Sequence, residues 1–133
     1  AMVLVVDDDE MLLTVLKMLL MSAGHEVLTA QDGNKALGIV QAVDLDMMIS
    51  DIRMSPMNGM EVLRRAHQLK PDMPVVMVTA YASAKTAKEC KELGAVGYLS
   101  KPFTNDEVLG VVEHAVEAGR QKKAAGQGTV PAA

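Results

Sequence analysis

Apolar and polar positions along the chain follow two alternating periods. Five short runs rich in Val, Ile, Leu and Met have the length and composition of strands: Met2–Val6, Glu26–Ala30, Asp46–Ser50, Pro74–Thr79 and Val96–Leu99. Between them lie longer stretches whose apolar positions recur every three or four residues, the spacing of an amphipathic helix. In the first, Met11, Leu12, Val15, Leu16, Leu19 and Leu20 predict one buried stripe, and Gly24 stands where a helix ends in a left-handed residue. The second helix is expected from Asn34 to Gln41, after the Asp32-Gly33 turn. A third is expected from Gly59 to Leu69, with Asn58 as N-cap and Pro71 just beyond its end. The fourth follows Ser83 and closes at Gly94. The last begins at Thr104, where Glu107 completes a capping box, and runs to about Ala118, burying Val108, Val112, Ala115 and Val116.

Repeated strand–helix alternation predicts an α/β fold, a five-stranded parallel sheet with helices on both faces. The unbroken apolar run Val75–Val78 suits a central strand buried on both sides. After Ala118 the periodicity stops, so the expected division is one domain over 1–118 and a C-terminal linker or disordered tail over 119–133.

Composition narrows the classes. The 133 residues are 50% hydrophobic and 23% charged, which fits one globular domain and excludes a wholly disordered chain or a coiled coil. The single cysteine, Cys90, cannot form an internal disulfide, and a reducing cytoplasmic location is expected. A net charge of −4 argues against direct nucleic-acid binding by this segment. The stretch Met11–Met21 is interrupted by Thr14 and Lys17 and is too short for a bilayer, so no membrane partner is expected. The 11 methionines read as core filler, Met11, Met18 and Met21 among them, with Met54, Met57 and Met60 near the strand ends. His25, His67 and His114 fall at none of the strand ends that carry polar chemistry.

In an open parallel sheet, ligands bind beyond the carboxyl ends of the strands. The first strand is followed by Asp7-Asp8-Asp9 and the third by Asp51; the fourth ends in Thr79-Ala80 and the fifth runs into Ser100-Lys101-Pro102. Carboxylates crowded on one rim repel each other unless a cation settles them. An all-oxygen donor set suits Mg²⁺, with Mn²⁺ as a substitute, and the absence of His and Cys at these positions disfavours zinc or copper. A carboxylate beside a divalent cation, a lysine and a hydroxyl has what it needs to take up a phosphoryl group.

Together Val3-Leu4-Val5-Val6-Asp7-Asp8-Asp9, Asp51-Ile52-Arg53-Met54, Val78-Thr79-Ala80 and Tyr98-Leu99-Ser100-Lys101-Pro102-Phe103 resemble the receiver domain of bacterial two-component response regulators, over residues 2–118. The resemblance implies a flavodoxin-like receiver fold with strand order 2-1-3-4-5. It implies that Asp51 is the phosphoacceptor, that Asp8 binds Mg²⁺ directly and Asp7 mainly through a metal-bound water, and that the backbone carbonyl of Arg53 completes the protein ligands. Lys101 would pair with Asp51 and then with its phosphoryl oxygens, and Thr79 would hydrogen-bond the phosphoryl group. Tyr98 would then turn inward and remodel the face made by the fourth helix, fifth strand and fifth helix. A cis Lys101–Pro102 bond is also implied. So are a sensor histidine kinase or phosphotransfer protein as donor, an output domain or downstream protein as target, a role in transcription regulation, and homodimerisation through that same face. Such a domain is a regulatory phosphoprotein rather than an enzyme, although it supports its own phosphoryl transfer and slow dephosphorylation. Ser55-Pro56 departs from the family's proline placement, while Gly59 keeps the expected distance from Asp51; Arg53 and Tyr81 hold positions that influence phosphoryl lifetime in the family.

Three other readings compete. A Mg²⁺-dependent aspartate-nucleophile phosphohydrolase shares Asp, Lys and metal, but such enzymes carry a second Asp two residues after the nucleophile, where Arg53 stands here. A flavodoxin-like cofactor module lacks its phosphate-cradling loop after the first strand. A phosphorylation-independent interaction module differs only in its chemistry.

Overall fold

The computed structural model describes residues 1–129, with side chains to Lys122. Its elements are β1 (Met2–Val6), α1 (Glu10–Ser22), β2 (Glu26–Ala30), α2 (Gly33–Ala42), β3 (Met47–Asp51), α3 (Gly59–Leu69), β4 (Val75–Thr79), α4 (Ala84–Glu92), β5 (Gly97–Ser100) and α5 (Asn105–Thr129). The strands pair in parallel in the order β2-β1-β3-β4-β5. The chain therefore moves outward from β1 to one side, then returns to build the other side from β3. That reversal opens a crevice between the carboxyl ends of β1 and β3.

Successive strand residues point to opposite faces. Val3 and Val5, Met47 and Ile49, Val76 and Val78, and Leu99 pack with Leu13, Leu16 and Leu20 of α1 and with Val108, Val112, Ala115 and Val116 of α5. Leu4 and Val6, Met48, and Val75 and Met77 pack against α2, α3 and α4 on the other face. Both faces are covered, which is why β3 and β4 are buried along their whole length.

The caps act as the spacing suggests. Asn58 Oδ1 accepts from Met60 N, Ser83 Oγ from Thr86 N, and Thr104 and Glu107 exchange their two capping bonds at 3.1 Å each. Gly24 and Gly94 take positive φ of 93° and 105°. The Lys101–Pro102 bond is cis, as is Ser55–Pro56.

Three expectations need correction. The helix α5 does not stop near Ala118 but runs on to Thr129, into the stretch expected as a linker or disordered tail; the last residues of that stretch, 130–133, lie outside the described residues. The buried ridge of α1 is Leu13, Leu16 and Leu20, whereas Met11 and Val15 of the expected stripe face solvent. The apolar residues of α1 wrap most of its circumference, so periodicity left two stripes available and the sheet selected one. For the same reason Met11, Met18 and Met21 are exposed, and the core methionines are Met47, Met48, Met54, Met73 and Met77.

Candidate functional site

Asp7, Asp51 and Lys101 continue the parity of Val5, Ile49 and Leu99, so the alternation that builds the α1–α5 core also aims these three side chains to one side of the rim. Asp7 and Asp51 leave neighbouring strands one residue beyond the Val6–Ser50 pair. Their carboxylates and that of Asp8 each offer an oxygen within 4.8 Å of the others. Asp7 and Asp51 are buried, while Asp8 stands exposed at the mouth. Asp7 Oδ1 accepts from Asp9 N at 2.9 Å, which fixes the turn into α1, and Asp9 Oδ1 caps that helix through Met11 N and Leu12 N.

Lys101 reaches across from the end of β5. Its Nζ donates to Asp7 Oδ2 at 2.9 Å and lies 3.4 Å from Asp51 Oδ2. The lysine thus bridges both acids, with Asp7 as the nearer partner rather than Asp51. Burial works against its charge, but the hydrogen bond and negative charge of Asp7, with Asp51 behind, raise its pKa on balance. The Asp51 carboxyl is also pushed up, first by burial and then by the charge of Asp7, against the opposing pull of Lys101. The site carries more negative charge than its lysine neutralises.

This has a measurable consequence. A carboxyl whose folded pKa is raised stabilises the fold when protonated; that contribution is whole below the ordinary carboxylate range and is lost as pH rises through the folded pKa. At neutral pH in chelator, Asp51→Asn is expected to melt a few degrees higher than the wild-type chain. The difference should vanish as the pH falls below about 4. Thermal denaturation at the two pH values checks it.

Thr79 is buried at the end of β4, and its Oγ1 accepts from Tyr81 N at 3.0 Å. The Tyr98 ring packs against the α2–α4 side of the core, and its buried hydroxyl finds no hydrogen-bond partner among the described residues. One contact escapes the sequence. The Arg53 guanidinium lies over the Tyr81 ring, 3.9 Å from its centroid, joining the loops after β3 and β4. The two residues are 28 positions apart, counting from 53 to 81, and only the adjacency of β3 and β4 brings them together. Cys90 is buried with its Sγ 3.5 Å from Met60 Sδ and takes no part in the site.

Residues 3–113 match the family model described as the response regulator receiver domain. The chain belongs to that family. This receiver domain is 35% identical over 117 residues to the transcriptional regulatory protein GlrR of Escherichia coli (strain K12), an alignment covering 88% of this chain and 26% of that protein. It spans about a quarter of the length of the curated relatives it matches. It is similar in structure to a CheY-like receiver domain protein from Methanospirillum hungatei, with TM-score 0.87, 30% identity, and 91% of this chain and 97% of that one covered. It is likewise similar to the response regulator TrrA from Thermotoga maritima in complex with Mg²⁺ and BeF, with TM-score 0.78, 31% identity and coverage of 86% and 97%. The receiver fold and its strand order are those expected. Among the described residues, no helix is long and apolar enough to cross a membrane.

Proposed function

We propose that this receiver domain is a phosphorylation-controlled switch in which Asp51 is the phosphoacceptor. The observation that carries the reading is the convergence of three carboxylates at the switch point of the sheet, two of them, Asp7 and Asp51, bridged by the half-buried Lys101. Asp51 Oδ attacks the phosphorus of a phosphohistidine. The P–N bond breaks, an aspartyl phosphate forms, and the imidazole leaves with the electron pair and takes a proton. Lys101 and the Thr79 hydroxyl stabilise the phosphoryl oxygens. Asp8, Asp7, Asp51 and the Arg53 carbonyl would hold Mg²⁺, or Mn²⁺ in its place, and the clustered oxygen-only donor set of the three acids fits either ion. When bound, the ion offsets the crowded negative charge and polarises the transferred group. Movement of Thr79 toward the phosphoryl group then draws Tyr98 with it and alters the α4-β5-α5 face, which contacts a second copy or an output domain. The part of α5 beyond Ala118 serves as a helical connection to such an output, in keeping with the chain's similarity to GlrR, a transcriptional regulatory protein.

Two measurements test this. Incubation with a small phosphodonor and Mg²⁺ is expected to leave one acid-labile phosphate on the chain. Multiple turnover of a phosphomonoester without a stable label would favour the phosphohydrolase instead. Asp8→Ala is expected to weaken Mg²⁺ binding by at least about tenfold, since it removes a charged ligand; unchanged affinity by titration would remove Asp8 from the metal site.

The donor's approach is marked by a second feature. Met11, Val15, Met18 and Met21 are 77%, 52%, 67% and 54% exposed along α1, beginning beside the acidic rim. We assign this apolar stripe to the histidine-bearing donor, because it begins where α1 leaves the acidic rim that the donor's phosphoryl group has to reach. Met18→Lys is expected to slow transfer from a histidine kinase roughly tenfold, while labelling by a small phosphodonor stays at the wild-type rate. Equal slowing of both would show a defect in the site and not in docking.

A further inference from the structure

The Arg53–Tyr81 stack joins the loops that follow β3 and β4, the strands that end in Asp51 and Thr79. With all three ionised, Asp7, Asp8 and Asp51 would carry three negative charges, which one divalent cation and Lys101 would balance. Converting the Asp51 carboxylate to an acyl phosphate replaces one negative charge by about two. The ions that balanced the site then fall one charge short. Arg53 is the basic residue nearest to Asp51 in the chain, and two residues of extended backbone separate their Cα atoms by at most about 7 Å. Arg53 is exposed and its guanidinium rests on the ring of Tyr81, itself 63% exposed. Tyr81 is in turn tied by its backbone N–H to Thr79 Oγ1, the hydroxyl read above as the phosphoryl partner.

We infer that Arg53 is a reserve phosphoryl ligand, parked on the Tyr81 ring in the unphosphorylated chain and transferred to the phosphoryl oxygens when Asp51 is modified. The tyrosine ring is a weak, competing site for the guanidinium, and the phosphoryl group is a stronger, bidentate one. Release of the ring frees the loop between Thr79 and the Ser83 cap of α4, so the same charge change that recruits Arg53 loosens the entry to α4. The inference rests on the reading of Asp51 as phosphoacceptor.

This model differs from a simple steric lid in the sign of its effects. If both residues merely shield the site, removing either one acts in the same direction. If Tyr81 competes with the phosphoryl group for Arg53, the two variants act oppositely. The probe is beryllofluoride with Mg²⁺, titrated against the 133-residue chain, with each variant's own Mg²⁺ affinity measured alongside. Arg53→Gln is expected to weaken beryllofluoride binding about tenfold, the loss of one charge-assisted contact. Tyr81→Leu is expected to tighten it about threefold, because no stack has to be broken. The double variant is expected to match Arg53→Gln, since without the guanidinium Tyr81 has nothing to hold. By NMR, the Arg53 δ-proton resonances, ring-current shifted in the free wild-type chain, are expected to move to their Tyr81→Leu positions on adding the probe. Weaker binding in Tyr81→Leu, or unchanged binding in Arg53→Gln, overturns the inference. A wild-type chain that takes up acid-labile phosphate and binds beryllofluoride, with variants indistinguishable from it, overturns the inference and leaves Asp51 as acceptor. A wild-type chain that does neither overturns both.

Discussion

Asp51→Asn is expected to abolish acid-labile phosphate incorporation, both from a histidine kinase and from a small phosphodonor. The amide keeps the shape of the carboxyl but not its negative oxygen, so the P–O bond that makes the aspartyl phosphate has no nucleophile. The change does not unfold the site. Burial and the charge of Asp7 disfavour the ionised form of Asp51, so its neutral isostere relieves repulsion while Lys101 keeps Asp7 as its nearer partner. Loss of labelling from a well-folded variant therefore reports chemistry and not collapse. Labelling retained by the purified variant, with the phosphate mapped by mass spectrometry to another side chain, would remove Asp51 as acceptor. Lys101→Ala supplies a contrast, because it leaves the nucleophile present but its negative surroundings uncompensated.

The second large effect lies at Gly59, the first residue of α3. A Cβ there would sit 2.7 Å from Ile52 Cα and 2.9 Å from the Asp51 carbonyl carbon, and would collide with the Asp51 carbonyl oxygen as well. These are backbone atoms of the strand end that carries the phosphoacceptor, and none of them swings aside as a side-chain tip does. The close approach is held by the Gly59 N–H donating to Ile52 O at 2.7 Å. Gly59→Ala is expected to cost about 3 kcal/mol and to lower Tm by roughly 10 °C, with Mg²⁺ affinity falling because Asp51 is displaced. Gly38→Ala is the control: it lies inside α2 with nothing within 4 Å of the added Cβ, so it should be neutral or slightly stabilising. Equal thermal shifts for the two variants would show that the α3–β3 approach does not position the site.

Much of this architecture is legible before any coordinates. The strands β1 and β2 and the helix α3 lie where the sequence places them: β1 as a continuous apolar run of an inner strand, β2 as the shorter Val-Leu-Thr-Ala run of an edge strand, and α3 between its Asn58 cap and Pro71. The acidic rim is legible for a related reason: polar residues directly after apolar strands have one destination, the carboxyl edge of the sheet. The expected end of β3 was off by one residue, since Asp51 closes the strand instead of following it. Ladder pairing with Val78, and not hydrophobicity, sets that boundary.

Other features depend on neighbours that a linear reading does not see. Which of two apolar stripes α1 buries was settled by the sheet, which took Leu13, Leu16 and Leu20 and left Met11, Val15 and Met18 outside. The continuation of α5 past Ala118 was hidden by a stretch with no apolar period; tertiary support near that point includes Gly119 packed against Pro74, where a Cβ would lie 2.8 Å from the ring. The preference of Lys101 for Asp7 and the stacking of Arg53 on Tyr81 join residues from different strand ends. By itself the sequence determined the layers of this protein and the residue types on its reactive edge, because burial and strand alternation act locally and repeat along the chain. Only the tertiary structure decided which of those residues touch, because such contacts depend on strand order and on distances set by elements far apart in sequence.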